Sequence, residues 1–87
     1  MTSAVFKIDG EHIDDCLHVA CAKVGEGETV LDFSGVRRID PKAVRALEEL
    51  VNVAEARGVK VGVCGVNVEI YKVLKLVKLA SRINFSV

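Results

Sequence analysis

An α/β fold is predicted for this chain of 87 residues, with a single sheet of about four strands, largely parallel, and helices packed against it. Short valine-rich runs alternate with longer segments whose apolar residues recur at helical spacing. At one junction Pro41 follows Asp40, a pair that marks the start of a helix. Tight connections join these segments, and strand–helix–strand units of this kind form right-handed crossovers between parallel strands.

The clearest such unit covers residues 29–64. Its first strand, residues 29–33, is a β-branched apolar run that favours burial on both faces, with Asp32 as the exception. The helix begins at Pro41 and is ended by Gly58. Its apolar stripe consists of Val44, Leu47, Leu50, Val51 and Ala54, and its outward face of Lys42, Arg45, Glu48, Glu49 and Asn52. Residues 59–64 form the next strand.

Further elements are expected on both sides of this unit. Residues 4–8 are expected to form a first strand, and residues 13–24 an amphipathic helix with acidic residues in its first turn. Residues 25–27, Gly-Glu-Gly, resemble a turn. Residues 70–80 form a more apolar last helix, followed by a short strand or coil at residues 83–85.

Composition bounds the class of protein. The chain is expected to be one domain over residues 1–87. Twelve basic and twelve acidic residues cancel, which disfavours binding to nucleic acid or to an anionic membrane. Neither a leader pattern nor an apolar run of membrane-spanning length is seen, and the predicted location is the cytoplasm. Hydrophobic residues reach 51%, a surplus that leaves room for an apolar surface covered by a partner or by a second copy in a homodimer.

The sequence contains only weak signals for a metal site, a catalytic site or a cofactor site. His12 and Cys16 lie four apart, as metal ligands on one helix face can, and His18 with Cys21 is a similar pair, but no second ligand cluster accompanies them. Three cysteines without CxxC spacing fit reduced thiols packed as small hydrophobes. We therefore predict no metal, no catalytic residue and no cofactor.

Two other motifs are explained by local structure. Asp32 and Asp40 flank a loop like paired acids, but no neighbouring histidine completes a catalytic site, and capping with loop bonding explains both better. Gly62 and Gly65 bracket a strand end where a phosphate could sit. This segment is neither GxGxxG nor a P-loop, so a tight strand-to-helix turn is favoured over nucleotide binding.

The segment LDFSGVRRIDPKAV, followed by ALEELVNVAEARGVKVGVCGV and VLKLVKLASRINF, resembles the STAS domain of bacterial anti-sigma-factor antagonists and of sulfate transporter tails. The resemblance covers about residues 29–85. It rests on residues 31–36, Leu-Asp-Phe-Ser-Gly-Val, followed by Ile39 and Asp40, and on Ala56-Arg57-Gly58 before a valine-rich strand. It implies the STAS fold and a protein-interaction module involved in signal transduction and transcription regulation.

In antagonist members of that family, a Ser or Thr at the start of this helix is phosphorylated by a kinase that is also the anti-sigma factor. Here Asp40 matches the family, but Pro41 and Lys42 occupy the two hydroxyl positions and Ala43 replaces a glycine. The resemblance therefore implies a member without the phosphorylation site. Whether phosphorylation occurs elsewhere, for example at Ser34, stays open.

The same loop and helix start carry the predicted partner-binding residues, which are Ser34, Arg37, Arg38, Asp40, Lys42 and Arg45. Four of the six are basic, which favours an acidic partner or an anion. The alternative interpretation is that these side chains are simply solvated. Because a lysine in the first turn opposes the helix dipole, Lys42 shifts the balance towards a function.

Both ends of the chain depart from the family pattern. The first strand leads through Asp9 and Gly10 directly to a helix, without the longer hairpin, which suggests a trimmed member. Residues 76–79 replace the family's glycine-containing turn, so the last helix is expected to run on uninterrupted. A basic strip would then follow it, composed of Lys72, Lys75, Lys78 and Arg82.

Three hypotheses on function follow, in order of preference. The first is a non-catalytic STAS module that binds a kinase, an anti-sigma factor or a signalling scaffold through residues 34–45. The second is a small STAS subunit of a bacterial ABC lipid-transport ATPase. The third, and least supported, is a small enzyme or a nucleotide- or anion-binding domain.

Overall fold

The computed structural model describes residues 3–24 and 28–86, so the expected turn at residues 25–27 lies outside the described part. In chain order the elements are β1 Ser3–Lys7, α1 Ile13–Ala22, β2 Glu28–Asp32, α2 Pro41–Ala56, β3 Lys60–Cys64, α3 Val68–Leu76, a 3₁₀ turn Ala80–Arg82 and β4 Asn84–Ser86. The predicted alternation of strands and helices is confirmed.

The four strands form one sheet in the order β1-β2-β3-β4, and every neighbouring pair is parallel. This confirms the predicted single parallel sheet. The strands lie side by side in the same order as in the chain. Right-handed crossovers between them therefore place every connecting helix on the same side of the sheet. The three helices accordingly share one core with that face.

Alternate positions along the strands face opposite sides of the sheet. In one row of the sheet Phe6, Leu31, Val63 and Phe85 align, and all four belong to the core beneath the helices or pack against it. The next row contains Val5, whose side chain is 65% exposed. The prediction that the β2 segment is buried on both faces is therefore wrong, because its burial alternates from residue to residue.

Helix α2 is the central helix and behaves as predicted. The Asp40 side chain accepts a hydrogen bond from the Ala43 backbone N–H at 2.8 Å. Four of the five residues of the predicted apolar stripe are buried, and Val44 is half-buried. Gly58 has φ +70°, the left-handed conformation that commonly follows a helix.

Helix α3 ends at Leu76, so the prediction that the last helix continues through residue 80 is wrong. Lys78 adopts φ +64°, and the Leu79 N–H donates to the Leu74 carbonyl at 2.9 Å. This turn places Leu79 in the core, where it is 1% exposed. Burial of the Leu79 side chain offsets the free-energy cost of the left-handed backbone at Lys78. The predicted basic strip is broken at the same point, and Arg82 instead binds Glu55 at 2.5 Å.

The helices are short. Among the described residues, none forms a helix with the length and apolar character needed to span a membrane.

Candidate docking surface

Three loops meet at the edge of the sheet where β1, β2 and β3 end, because parallel strands all end on one edge. They are residues 8–12, 33–40 and 65–67. The predicted partner-binding residues lie on the middle loop and at the start of α2. All six side chains are exposed, and we call them the docking surface: Ser34, Arg37, Arg38, Asp40, Lys42 and Arg45.

The backbone of the middle loop is held at its start by hydrogen bonds. The Phe33 N–H donates to the Cys64 carbonyl at 2.8 Å, and the Val36 N–H donates to the Phe33 carbonyl at 2.9 Å. The Val36 side chain is buried and that of Ile39 is half-buried. Arg37 and Arg38 are thus presented from a loop whose inner side chains pack into the protein.

Asp32 stabilises the first turn of this loop. Its carboxylate accepts a hydrogen bond from the Ser34 backbone N–H at 2.9 Å. This bond, with a second from the Ser34 hydroxyl, lowers the pKa of Asp32, and the positive charge of Lys7 acts in the same direction. Asp32 is therefore a turn residue and Asp40 a helix cap, as the sequence predicted.

The third loop supports the middle one through a residue that the sequence analysis missed. The Asn67 side chain donates to the Arg37 carbonyl at 3.0 Å and accepts from the Ile70 N–H at 2.8 Å. Asn67 therefore caps α3 and ties it to the docking surface. An asparagine directly before an apolar helical segment is a capping signal, so the cap could have been found from the sequence, but its bond to Arg37 could not.

Gly65, in the same loop, lies against Ser34. It has φ +71°, and a Cβ atom there would lie 2.7 Å from the Ser34 nitrogen. The predicted tight strand-to-helix turn is confirmed, and glycine is needed both for its backbone conformation and for the close approach.

The start of α2 carries the other half of the docking surface. Lys42 and Arg45 are exposed and three residues apart, so they lie on one side of the helix. No acidic residue occupies the first turn of α2. The Asp40 carboxylate already caps the positive end of the helix dipole, so the attraction of this part of the surface for an acidic group comes from Lys42 and Arg45.

The first loop borders the docking surface and was also missed by the sequence analysis. Asp9, Gly10 and Glu11 line an open depression of about 520 Å³ together with Gly35, Arg37 and Arg38. A Cβ atom on Gly10 would lie 2.5 Å from the Gly35 carbonyl oxygen. The two loops are thus in backbone contact, with acidic side chains on one and basic side chains on the other.

A second depression, of about 260 Å³, also adjoins Arg38. It is lined by Arg38, Ile39, Glu69, Ile70 and Val73. Arg38 therefore borders both depressions.

The candidate metal pairs lie at the start of α1 and along that helix. His12 is exposed at the start of α1, and the Cys16 sulfur lies 3.5 Å from the Asp9 N–H. Within residues 3–24 and 28–86, no three side chains of the His, Cys, Asp or Glu type are grouped to hold a metal ion. All three cysteines are half-buried free thiols, and burial raises the pKa of Cys21.

Comparison with known proteins places this arrangement among related folds. The family model for the STAS domain matches residues 3–86. A sulfate transporter family protein from Wolinella succinogenes superposes with a TM-score of 0.80 at 22% identity, over 95% of this chain and 75% of its own. No curated protein sequence matches this chain.

Two further structures share the fold. The STAS domain of a SulP transporter from Vibrio cholerae has a TM-score of 0.69 at 22% identity, covering 98% of this chain and 73% of its own. A candidate anti-sigma factor antagonist from Thermotoga maritima has a TM-score of 0.69 at 17% identity, covering 98% of this chain and 74% of its own. At these identities the likeness concerns the fold.

Proposed function

Because this chain belongs to the STAS domain family, whose members are generally non-catalytic interaction modules, we propose that it binds a regulatory protein through the docking surface. The partner we favour is a kinase-like anti-sigma factor or a signalling scaffold, and we place the interaction in the cytoplasm. A subunit of an ABC transport ATPase is the second candidate partner.

The observation that carries this proposal is the arrangement of charge on a supported loop. Arg37 and Arg38 are exposed, while the loop beneath them is bonded to β3 and, through Asn67, to α3. A binding loop that is already ordered loses less conformational entropy when a partner binds. The basic side chains themselves would supply orientation and a faster association with an acidic partner.

Regulation by phosphorylation at the start of α2 is not part of the proposed mechanism. Pro41 and Lys42 stand where the family's antagonists carry hydroxyl groups, and both side chains are exposed at the first turn. A fixed positive charge at this place favours an acidic group on the partner, which a phosphoserine would repel. We therefore propose that partner binding is not switched by phosphorylation at the start of α2.

The test is a pull-down from native lysate with the double variant Arg38→Glu/Lys42→Glu. We expect this variant to lose the partner, because two positive charges of the docking surface are reversed. Its free energy of unfolding should change by less than about 1 kcal/mol, as is usual for exposed substitutions. Bound proteins are identified by mass spectrometry, and unfolding is followed by circular dichroism in urea.

A matched control reverses two exposed lysines on α3, in the variant Lys72→Glu/Lys75→Glu. It changes net charge by the same amount but leaves the docking surface intact, so it should keep the partner. Retention of the partner by Arg38→Glu/Lys42→Glu would refute the proposed surface. A partner that proves to be an ABC ATPase would replace the regulatory assignment with the transport one.

A further inference from the structure

The 520 Å³ depression beside the docking surface has an acidic half and a basic half. Asp9 and Glu11, on the loop after β1, stand on one side of the 520 Å³ depression, and Arg37 and Arg38, on the loop after β2, stand on the other. All four side chains are exposed. The net charge of the chain is zero, so this separation is a local feature.

The opposite charges do not form ion pairs with each other. Within the described part of the chain, the one salt bridge joins Arg82 to Glu55, on a different side of the molecule from this depression. One carboxylate oxygen of Asp9 accepts the Glu11 N–H at 2.9 Å, which orders the loop and leaves the second oxygen available. Both halves can therefore bind charged groups from another molecule.

The boundary between the two halves is made of glycine. Gly10 and Gly35 are exposed, and their backbones touch. No side chain rises from either residue, so a second protein surface can approach both loops closely. A Cβ atom on Gly35 would meet only the Ile8 carbonyl oxygen, at 3.8 Å, so a side chain could be added there without displacing the backbone.

We propose that this edge binds a second copy of the same chain around a two-fold axis that runs along the depression. The axis places Arg37 and Arg38 of each copy opposite Asp9 and Glu11 of the other. Two-fold interfaces are self-complementary, and two adjacent patches of opposite charge meet that requirement directly. This inference does not depend on the proposed function, because it needs only the charges on this edge.

The predicted dimer has defined physical properties. Its contacts are exposed charge pairs on a small surface, which give weak association that is screened by salt. It also covers Arg37 and Arg38, so self-association and binding of a partner at the docking surface exclude one another. The fraction of chains with a free docking surface therefore falls as the concentration of the chain rises.

The experiment is analytical ultracentrifugation of the full chain from about 10 μM to about 1 mM, a range suited to weak association. We expect a monomer–dimer equilibrium at about 20 mM salt whose Kd rises at least about tenfold at about 300 mM salt, where the screening length is much shorter. A wild-type chain that stays monomeric at the highest concentration and lowest salt would overturn the proposal.

Charge reversal then locates the interface. Asp9→Lys/Glu11→Lys and Arg37→Glu/Arg38→Glu should each weaken self-association at least about tenfold, while an equal mixture of the two should form a heterodimer with regained affinity. The control Lys72→Glu/Lys75→Glu should associate like the wild type. Failure of the mixture to associate, with both variants folded by circular dichroism, would refute the charge-paired interface.

A steric variant tests the same interface without altering the Asp9 loop. Gly35→Gln adds a side chain at the boundary without reversing a charge, and it should prevent dimer formation at low salt. If instead Val5→Lys on the open sheet face abolishes the dimer while Gly35→Gln leaves it intact, the copies associate through the sheet and the proposal is wrong.

Discussion

Asp32 and Asp40 show how one residue type performs two local tasks within nine positions of the chain. Asp32 accepts the N–H of the residue two positions on, which forms a turn, and Asp40 accepts the N–H three positions on, which caps α2. Each bond involves near neighbours in sequence, so both roles could be predicted without knowledge of the fold.

Because of Asp32, we expect the protein to lose stability as the pH falls into the acid range. Its hydrogen bonds lower the pKa in the folded state, so the unfolded chain binds the proton more readily. The stabilisation is complete above the unfolded value of about 3.9 and is lost as the pH falls through the lowered folded pKa. We expect the urea midpoint of the wild type to fall more between about pH 5 and pH 2 than that of Asp32→Asn.

Equal pH dependence in the wild type and in Asp32→Asn would contradict this prediction. Because Asp32 lies near the surface, the comparison is best made at low ionic strength, where Lys7 also contributes to the lowered pKa.

At the scale of the elements, the connections between them decide how the docking surface is held. Asn67 begins α3 and also binds the carbonyl of Arg37, thirty residues earlier in the chain. Gly65 lets the loop before α3 touch Ser34. Neither contact follows from the sequence, because each joins residues that are brought together only when β2 and β3 pair.

A matched pair of glycine substitutions tests the contact between these loops. Gly58 and Gly65 have nearly the same backbone conformation, with φ +70° and +71°, but a Cβ on Gly58 meets nothing within 4 Å whereas one on Gly65 would strike Ser34. Gly58→Ala should cost about 1–2 kcal/mol, the strain of a left-handed residue. Gly65→Ala should cost at least about 1 kcal/mol more, since the loop must also move.

The difference in the free energy of unfolding, measured in urea, decides between backbone strain alone and strain with a steric clash. An equal or larger loss in Gly58→Ala would show that the Gly65 loop adapts without cost.

The end of α3 is the element that sequence analysis misjudged. Residues 76–79 continue the apolar spacing of the helix, so nothing local marks a stop. The helix nevertheless ends at Leu76 because Leu79 reaches the core only if the chain turns, with Lys78 in the left-handed conformation. Tertiary burial here outweighs the local preference for helix.

At the scale of the whole molecule, this is a two-layer protein with helices on one face of a parallel sheet. Leu31 and Val30 are neighbours on β2, yet the first is fully buried and the second only half-buried. Val5, in register with Val30, is 65% exposed. Val5 and Val30 lie on the second face of the sheet, opposite the helices, and none of the described helices covers that face.

Truncation on the two faces tests the layer arrangement. Leu31→Ala should cost about 2–5 kcal/mol, because it opens a cavity beneath the helices. Val5→Ala should change the free energy of unfolding by less than about 0.5 kcal/mol, because its side chain is already largely in water. Thermal and urea unfolding of both variants provide the measurement, and a large loss in Val5→Ala would show that the second face is covered in solution.

The order of elements, the start and end of α2, its buried stripe and the parallel sheet are all legible in the sequence, because they depend on periodicity, caps and the handedness of short connections. Two features are not: the open second face of the sheet and the gathering of Asp9, Glu11, Arg37, Arg38 and Asn67 at one edge. Both depend on which strands become neighbours and on which side the helices pack. These are long-range outcomes of core formation, and no local segment of the chain encodes them.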